Sequence, residues 1–451
     1  MKTNNLYLIE GAEAFSKGDF ENTALENGCL VLEQSGGRRV YNGCYTTKPM
    51  RMDTFREMMV SWNSDTPRGT AVEVQGRVLV DGQWSKWLSF GKWSPFLSRK
   101  SSAEEGALAK IDAAVLTVAS ENGARDVQLR VYLYTDSEET GPQVRLLGVS
   151  VRPMQWQQQE GRQILRKLYL PAYSQLNRDP AIGQSISSPV AVAMLINRWG
   201  EDVLPEELAH VCYDNGYHSF NNWSFAIAAA GSFGYRAYLC YMDLEQLRRQ
   251  IYMGYSVGTC LTYTNDPQVA KEQGLPLVKG TPSTAKNHLI AVRGFCEENG
   301  VEYVIVNDSY AAGDTAAERK YQLDEFLNAW NRVAYVVHPK HKYGGFAKPE
   351  RVGARLRATE QLGEYVFEVK SSEYLLKHDF LGTSEEPHGT LCFTIQDGIA
   401  YATTAHKAFR YMKVSEKGGF QLPSTALESN GKVTIYAIDG NGTMIVAERK
   451  S

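Results

Sequence analysis

Ser187 lies in the stretch most suited to chemistry, Gly183-Gln-Ser-Ile-Ser187-Ser-Pro189-Val-Ala-Val-Ala-Met-Leu-Ile-Asn-Arg-Trp-Gly200. Proline is favoured in a first helical turn, where its missing N–H is no loss. Ser188 is suited to cap such a helix and Gly200 to close its far end. Ser187 would then sit at the positive end of the helix dipole. A thiol placed there ionises readily, whereas a hydroxyl stays protonated and gains far less. A plain helix cap is the alternative reading of the same residues.

A second candidate lies a hundred residues on. Asn287-His288-Leu-Ile-Ala-Val-Arg-Gly-Phe295, the turn Cys296-Glu-Glu-Asn-Gly300, and Val-Glu-Tyr-Val-Ile-Val-Asn307-Asp308 read as a hairpin. With a five-residue loop over 296–300, position 288 falls opposite 308, and cross-strand partners share a face. A loop one residue shorter shifts the register and puts Asn307 on that face. Either side chain can hold an imidazole in one tautomer and orientation. A solvated histidine beside a polar Asn-Asp turn is the alternative.

A nucleophile position at a helix start, then a distant histidine, then Asp or Asn, is the chain order of papain-like cysteine peptidases. The resemblance narrows further. Ser187–Gly200 resembles the Cys-Ser-Pro-Thr-Ser…Ala-Met…Trp-Gly motif of the C39-like peptidase family. Asn222-Trp223-Ser-Phe…Gly231…Gly234-Tyr-Arg-Ala-Tyr resembles that family's Gly-Asn-Trp-Pro-Phe…Gly-Leu-Arg-Ala-Tyr stretch. Ser283-Thr…His288-Leu-Ile…Val-Arg-Gly-Phe and Val306-Asn-Asp308 resemble its Ser-Thr…Gly-His-Leu…Val-Arg-Gly-Phe and Val-Asn-Asp-Pro segments. The match covers about 175–340. Ser61–Asp65 to Trp87, and Val144-Arg-Leu-Leu-Gly148, are similar to the β-rich region that precedes the peptidase domain in some relatives.

The resemblance implies hydrolysis of a peptide or related amide. His288 would be the base, Asp308 its orienter with Asn307 as the alternative, and Gln175 the side-chain donor of the oxyanion hole, completed by the backbone N–H at 187. Gln175 stands twelve residues before Ser187, so Gln184 stays open for that role. Asn222 and Trp223 would line a substrate cleft. The departure is the nucleophile: the family's cysteine aligns with Ser187. A Cys→Ser change made to silence an enzyme, a natural pseudo-peptidase that binds peptide or glycan without turnover, and a working serine remain three readings, with an acyltransferase on the same scaffold as a further one. The working serine is disfavoured chemically. A thiolate–imidazolium pair forms before attack, whereas a serine must lose its proton during it.

These side chains need elements to position them. Residues 1–158 read as β-structure: Ala71–Val80 alternates Val72, Val74, Val78 and Val80, Asp81-Gly82 supplies a tight turn, and Val127–Tyr134 and Val144–Val151 add strands. Short strands between turns predict a sandwich. The tryptophans 84, 87 and 93 read as sheet packing, with a sugar platform as the alternative. Residues 159–342 carry helices at 187, 244–251 and 323–330, then strands at 289–295, 303–307 and 333–337. From 343 to 451 short alternating stretches return, with Asp397-Gly398, Asn430-Gly431 and Asp439-Gly440 between them. The expected architecture is α+β: a papain-like peptidase domain flanked by an N-terminal β-sandwich and a small C-terminal β domain.

Composition limits the partners. The 451 residues carry 48 Lys and Arg against 51 Asp and Glu, a net charge of −3, without the basic footprint of a nucleic-acid binder. No run reaches the ~18 apolar residues of a membrane span, and the start does not read as a secretory signal. The expected compartment is the cytoplasm, or the outside of the cell after loss of a leader. The seven cysteines form no CxxC pair, and no metal or cofactor is implied. His210, His338 and His341 read as structural, His218 as loop packing near Asn221, and His378, His388 and His406 as too sparse for a metal. The expected partner is a peptide or protein substrate, with glycan contact through the β domains.

Overall fold

The computed structural model describes residues 4–201 and 203–339, together with the backbone of eight strands between Arg351 and Arg449. The chain is mostly β and divides into two compact units. One comprises Met1–Leu176 with Gln184–Ala347, the other Asn177–Gly183 with Lys348–Ser451.

In the first unit, the N-terminal strands are linked by hydrogen bonds into one fourteen-stranded network. Its long members are β1 (Met50–Asp65), β2 (Thr70–Val80), β3 (Ala124–Thr135) and β4 (Gln143–Pro153). Asp81 and Gly82 both take positive φ in the turn that follows β2, as the dipeptide predicts. Strand β1, sixteen residues long, changes partners along its length. It pairs with β4 over most of its course and with β3 near its start.

The second sheet is antiparallel and takes the order β5 (Arg236–Tyr241), β10 (Trp330–His338), β6 (Val257–Tyr263), β7 (Ala285–Glu298), β8 (Val301–Asn307), β9 (Glu318–Gln322). Both faces are covered. Helices α1 (Ser187–Asn197), α2 (Pro205–Cys212) and α3 (Trp223–Ser232) share one apolar core with the N-terminal sheet and with Leu239, Leu289, Val333 and Tyr335. Alternate residues such as Val257, Ile290, Val306 and Val336 turn to a second core with α4 (Leu244–Met253) and α5 (Leu323–Ala329). A helix buried on all sides needs no polar stripe, and Ser187 to Ile196 are all buried.

The outer edge of β5 is closed by side chains of the N-terminal region. Asn63 Oδ1 accepts from Ala237 N at 3.0 Å, and its Nδ2 donates to Ala237 O at 2.8 Å. Ser61 Oγ accepts from Leu239 N, Ser150 Oγ accepts from Tyr241 N, and Asn5 Nδ2 donates to Tyr241 O. Five backbone groups that would otherwise lie bare at a sheet edge are thereby paired. Gly231 makes room for Asn63, since a Cβ there would stand 2.7 Å from the Asn63 amide nitrogen.

The second unit contains an eight-stranded sheet. Arg351–Ala358 pairs in parallel with Met444–Arg449 and antiparallel with Glu364–Val369, and Val433–Ile438 joins Met444–Arg449 to Ile399–Thr403. The expected turns at 397–398, 430–431 and 439–440, and the histidines 341, 378, 388 and 406, lie outside the described residues.

Asn63→Ala should destabilise the first unit by about 2–4 kcal/mol, the cost of two lost buried bonds and their orphaned backbone partners. Urea unfolding checks it, and a change below 1 kcal/mol would show the edge pairing to be incidental.

Candidate active site

Helix α1 begins at Ser187, but the capping expectation is corrected. The N-cap position is Ile186, without a side-chain cap, and Ser188 lies inside the first turn with its hydroxyl 2.9 Å from that of Tyr335. Ser187 is buried, and its Oγ accepts from the backbone N–H of Leu289 at 3.4 Å. The hydroxyl therefore lies against the residue that follows His288, across 102 positions of sequence.

His288 and Asp308 are bonded directly, Nε2 to Oδ1 at 2.8 Å, with both side chains buried. The route to this contact differs from the expected five-residue loop. Strand β7 continues to Glu298 and the turn is Asn299-Gly300, both at positive φ, the backbone that Asn-Gly favours in a two-residue hairpin. Pairing runs from Glu298 opposite Val301 to Gly294 opposite Ile305, then slips by one, so that Val292 faces Val306 and Ala291 faces Asn307. Arg293 is the extra residue of a β-bulge. One inserted residue exchanges the faces of everything beyond it. With the bulge, positions 288 and 308 are diagonal neighbours on one face; without it, 288 would share its face with 307 and not with 308.

The bulge is held from three sides. Arg293 Nε donates to Leu168 O at 2.9 Å, and Nη1 donates to Glu318 Oε2 at 2.7 Å and to Asn307 Oδ1 at 3.3 Å. Asn307 also donates to Pro171 O at 2.9 Å. Its amide is thus committed to the 170–171 segment and to Arg293 and not to the imidazole. Gly294 is required where the short strand Arg166–Lys167 crosses, because a Cβ there would stand 2.2 Å from Arg166 O.

Asp308 gathers donors from every side. Tyr263 and Tyr321 donate their hydroxyls to Oδ2 at 2.9 and 2.7 Å, and the Tyr310 N–H donates to Oδ1 at 2.9 Å. Burial pushes this carboxyl up, but His288, the Tyr321 hydroxyl and the Tyr310 N–H together hold it at about 2. Burial and the Asp308 charge push both phenols well above their ordinary range, so they remain donors. The rings of Tyr263 and Tyr310 meet His288 edge-on, with centroids 6.0 and 5.6 Å away. Sequence reasoning missed all three tyrosines. Only Tyr263 carried a signal, ending the alternating Val257, Thr259, Leu261, Tyr263.

The other expected residues are placed as follows. Gln175 is buried; its N–H donates to Ser309 O at 2.7 Å, and its Oε1 accepts from Ser309 Oγ at 2.8 Å. Gln184 is exposed and accepts from the Tyr310 hydroxyl at 2.6 Å. Asn222 caps α3: its Oδ1 accepts from Phe225 N, and its Nδ2 donates to Asp214 and Ser101. Asn222 is thus a buried structural residue and not a wall of a cleft, and Trp223 packs half-buried against the core. Burial pushes the thiols of Cys212, Cys240 and Cys260 up to about 12, leaving them inert. Burial, then Arg99, lowers His210 to about 4. Among the described residues no group of three His, Cys, Asp or Glu is placed to hold a metal ion, and no helix is long and apolar enough to cross a membrane.

Two family profiles match the chain. The one described as Peptidase C39 N-terminal domain covers residues 7–151, and the one described as Peptidase C39-like family covers 167–338. The chain belongs to the C39-like peptidase family. The second match holds Ser187, His288 and Asp308 together, and its C39-like character supports a hydrolase of the peptidase kind. No curated protein sequence matches. Solved structures that align include a Podospora anserina GH26-CBM35 β-(1,4)-mannanase, 9% identical over 42% of this chain and 35% of that one, at a TM-score of 0.18. A cycloisomaltooligosaccharide glucanotransferase of a Paenibacillus species, complexed with cycloisomaltoheptaose, is 9% identical over 93% of this chain and 45% of that one, also at 0.18. The chain spans less than half of either, and likenesses this low carry no argument.

Asp308→Asn should lower stability at pH 7 by on the order of 3 kcal/mol, since it removes a buried carboxylate from its bond to His288 and misdirects two phenol donors. A carboxyl held below its unfolded value of ~3.9 contributes stability above that pH and loses it as pH falls through the folded value. The gap between the two proteins should therefore close between pH 4 and about 2. Equal stability at pH 7 by chemical denaturation would rule out an ionised, donor-held Asp308.

Proposed function

We propose that the site is that of a papain-like hydrolase of peptides or related amides, arranged for a thiol nucleophile and carrying a hydroxyl in its place. The observation that carries this reading is the buried 2.8 Å bond from His288 to Asp308, with the Ser187 hydroxyl on the adjoining amide of Leu289. Asp308 occupies Nε2, which assigns Nδ1 to the nucleophile. In the thiol form, His288 would take the proton before attack. The thiolate would then add to the carbonyl carbon, and His288 would return the proton to the leaving amine. Water would release the acyl group in the second half. The N–H of Ser187 and the Gln175 amide would face the developing oxyanion.

With serine in place, the hydroxyl proton must move during attack to a base set for the other chemistry. Turnover should fall by several powers of ten, comparable to losing a triad member. The Ser187 hydroxyl thus favours a second reading for this chain as it stands, in which a peptide is held without turnover.

The test is Ser187→Cys, challenged with an electrophilic thiol probe and a peptide mixture. Labelling mapped to position 187, faster than for a free thiol and lost on His288→Ala, is the expected result, together with new peptide fragments. A folded variant that neither labels nor cleaves would exclude a hydrolase and leave binding alone.

A further inference from the structure

Asp308, Ser309 and Tyr310 are consecutive, yet each holds a different part of the site. Asp308 fixes His288. Ser309, fully buried, donates its hydroxyl to Gln175 Oε1 at 2.8 Å, while its carbonyl accepts the Gln175 backbone N–H at 2.7 Å. The Tyr310 ring lies edge-on to His288, and its hydroxyl donates to Gln184 Oε1 at 2.6 Å, three residues before Ser187.

An amide side chain has two ends of similar shape and opposite polarity. The backbone bond places Gln175 beside the loop but leaves that choice open. In the structure the Ser309 hydroxyl donates to Oε1, which holds that oxygen against the loop and directs the Nε2 end away from it. The backbone beneath is fixed in turn, with Asp308 N donating to Ala317 O at 2.8 Å and the Ser174 hydroxyl donating to Ala311 O. The resembling family segment carries proline after the aspartate, where this chain has Ser309, so the hydroxyl is a property of this chain.

We propose that Ser309 is a positioning residue, whose hydroxyl orients Gln175 so that its amide N–H serves as the oxyanion donor. One tripeptide then sets the base and the oxyanion donor in register, and Tyr310 ties the approach to Ser187 to the same loop. The assignment rests on the hydrolase reading.

The experiment separates two reactions of the same thiol in the Ser187→Cys protein. Alkylation by iodoacetamide displaces iodide at an sp³ carbon and develops no carbonyl oxyanion. Acylation by p-nitrophenyl acetate passes through one: sulfur adds to the ester carbonyl, and p-nitrophenolate leaves as the thioester forms. Both rates are read by mass mapping at position 187. Adding Ser309→Ala should lower acylation at least roughly tenfold with alkylation unchanged, in keeping with the weight of an oxyanion donor. Ser309→Thr should restore it, and Ser309→Ala with Gln175→Ala should be no worse than Gln175→Ala alone. Equal acylation with and without the Ser309 hydroxyl overturns the assignment and leaves the hydrolase reading standing. A parallel fall in both rates also overturns it, since a merely structural role moves both. A thiol at 187 that alkylates no faster than free cysteine in the parent Ser187→Cys protein means that the underlying reading itself has failed.

Discussion

The site depends on one ionised carboxylate kept wholly out of water. A buried charge is tolerable only when donors replace its lost hydration, and Asp308 draws them from four places: β7 through His288, β6 through Tyr263, β9 through Tyr321, and its own loop through Tyr310. Two of those elements, β7 and β9, are the strands flanking β8, at whose end Asp308 lies, and β6 is the next strand beyond β7. The sheet order is therefore a requirement of this buried polar cluster as well as a description of the fold. Moving any one strand by a residue would leave a charge or a hydroxyl stranded.

The bulge at Arg293 shows how finely that order is tuned. Asn307 and Asp308 are both fully buried, and a single inserted residue decides which of them shares the face of His288. The loser is given a structural task, bridging Arg293 to the 170–171 backbone. Specificity between two adjacent polar residues is thus written in strand parity, and the Arg293–Glu318 pair and the Leu168 carbonyl hold that parity in place.

Much of this was legible in the residues, and the remainder was not for definable reasons. The period-2 run at Ala71–Val80 and the start of α1 at Ser187 were readable because local pattern and burial agree there. The pairing of His288 with Asp308 was reached, but through a register that the structure replaces: Asn299-Gly300 is a two-residue turn signal, and the bulge compensates for the shorter loop. A bulge leaves no mark in periodicity over so short a span. Asn222 misled because an asparagine before an aromatic helix start serves equally as a cleft residue or as a cap, and only its partners Asp214 and Ser101 decide. Tyr321 and Ser309 act through contacts with distant residues, which no local pattern encodes.

The polar fringe on β5 has an implication for how this molecule behaves when cut or unfolded in part. A strand bordered by Asn63, Ser61, Ser150 and Asn5 accepts no further strand from outside. Stripped of that border, Arg236–Tyr241 becomes an adhesive ribbon of Ala, Tyr, Leu and Cys, open to recruiting another chain. The N-terminal sheet thus covers one edge of the strand order that brings His288 and Asp308 together.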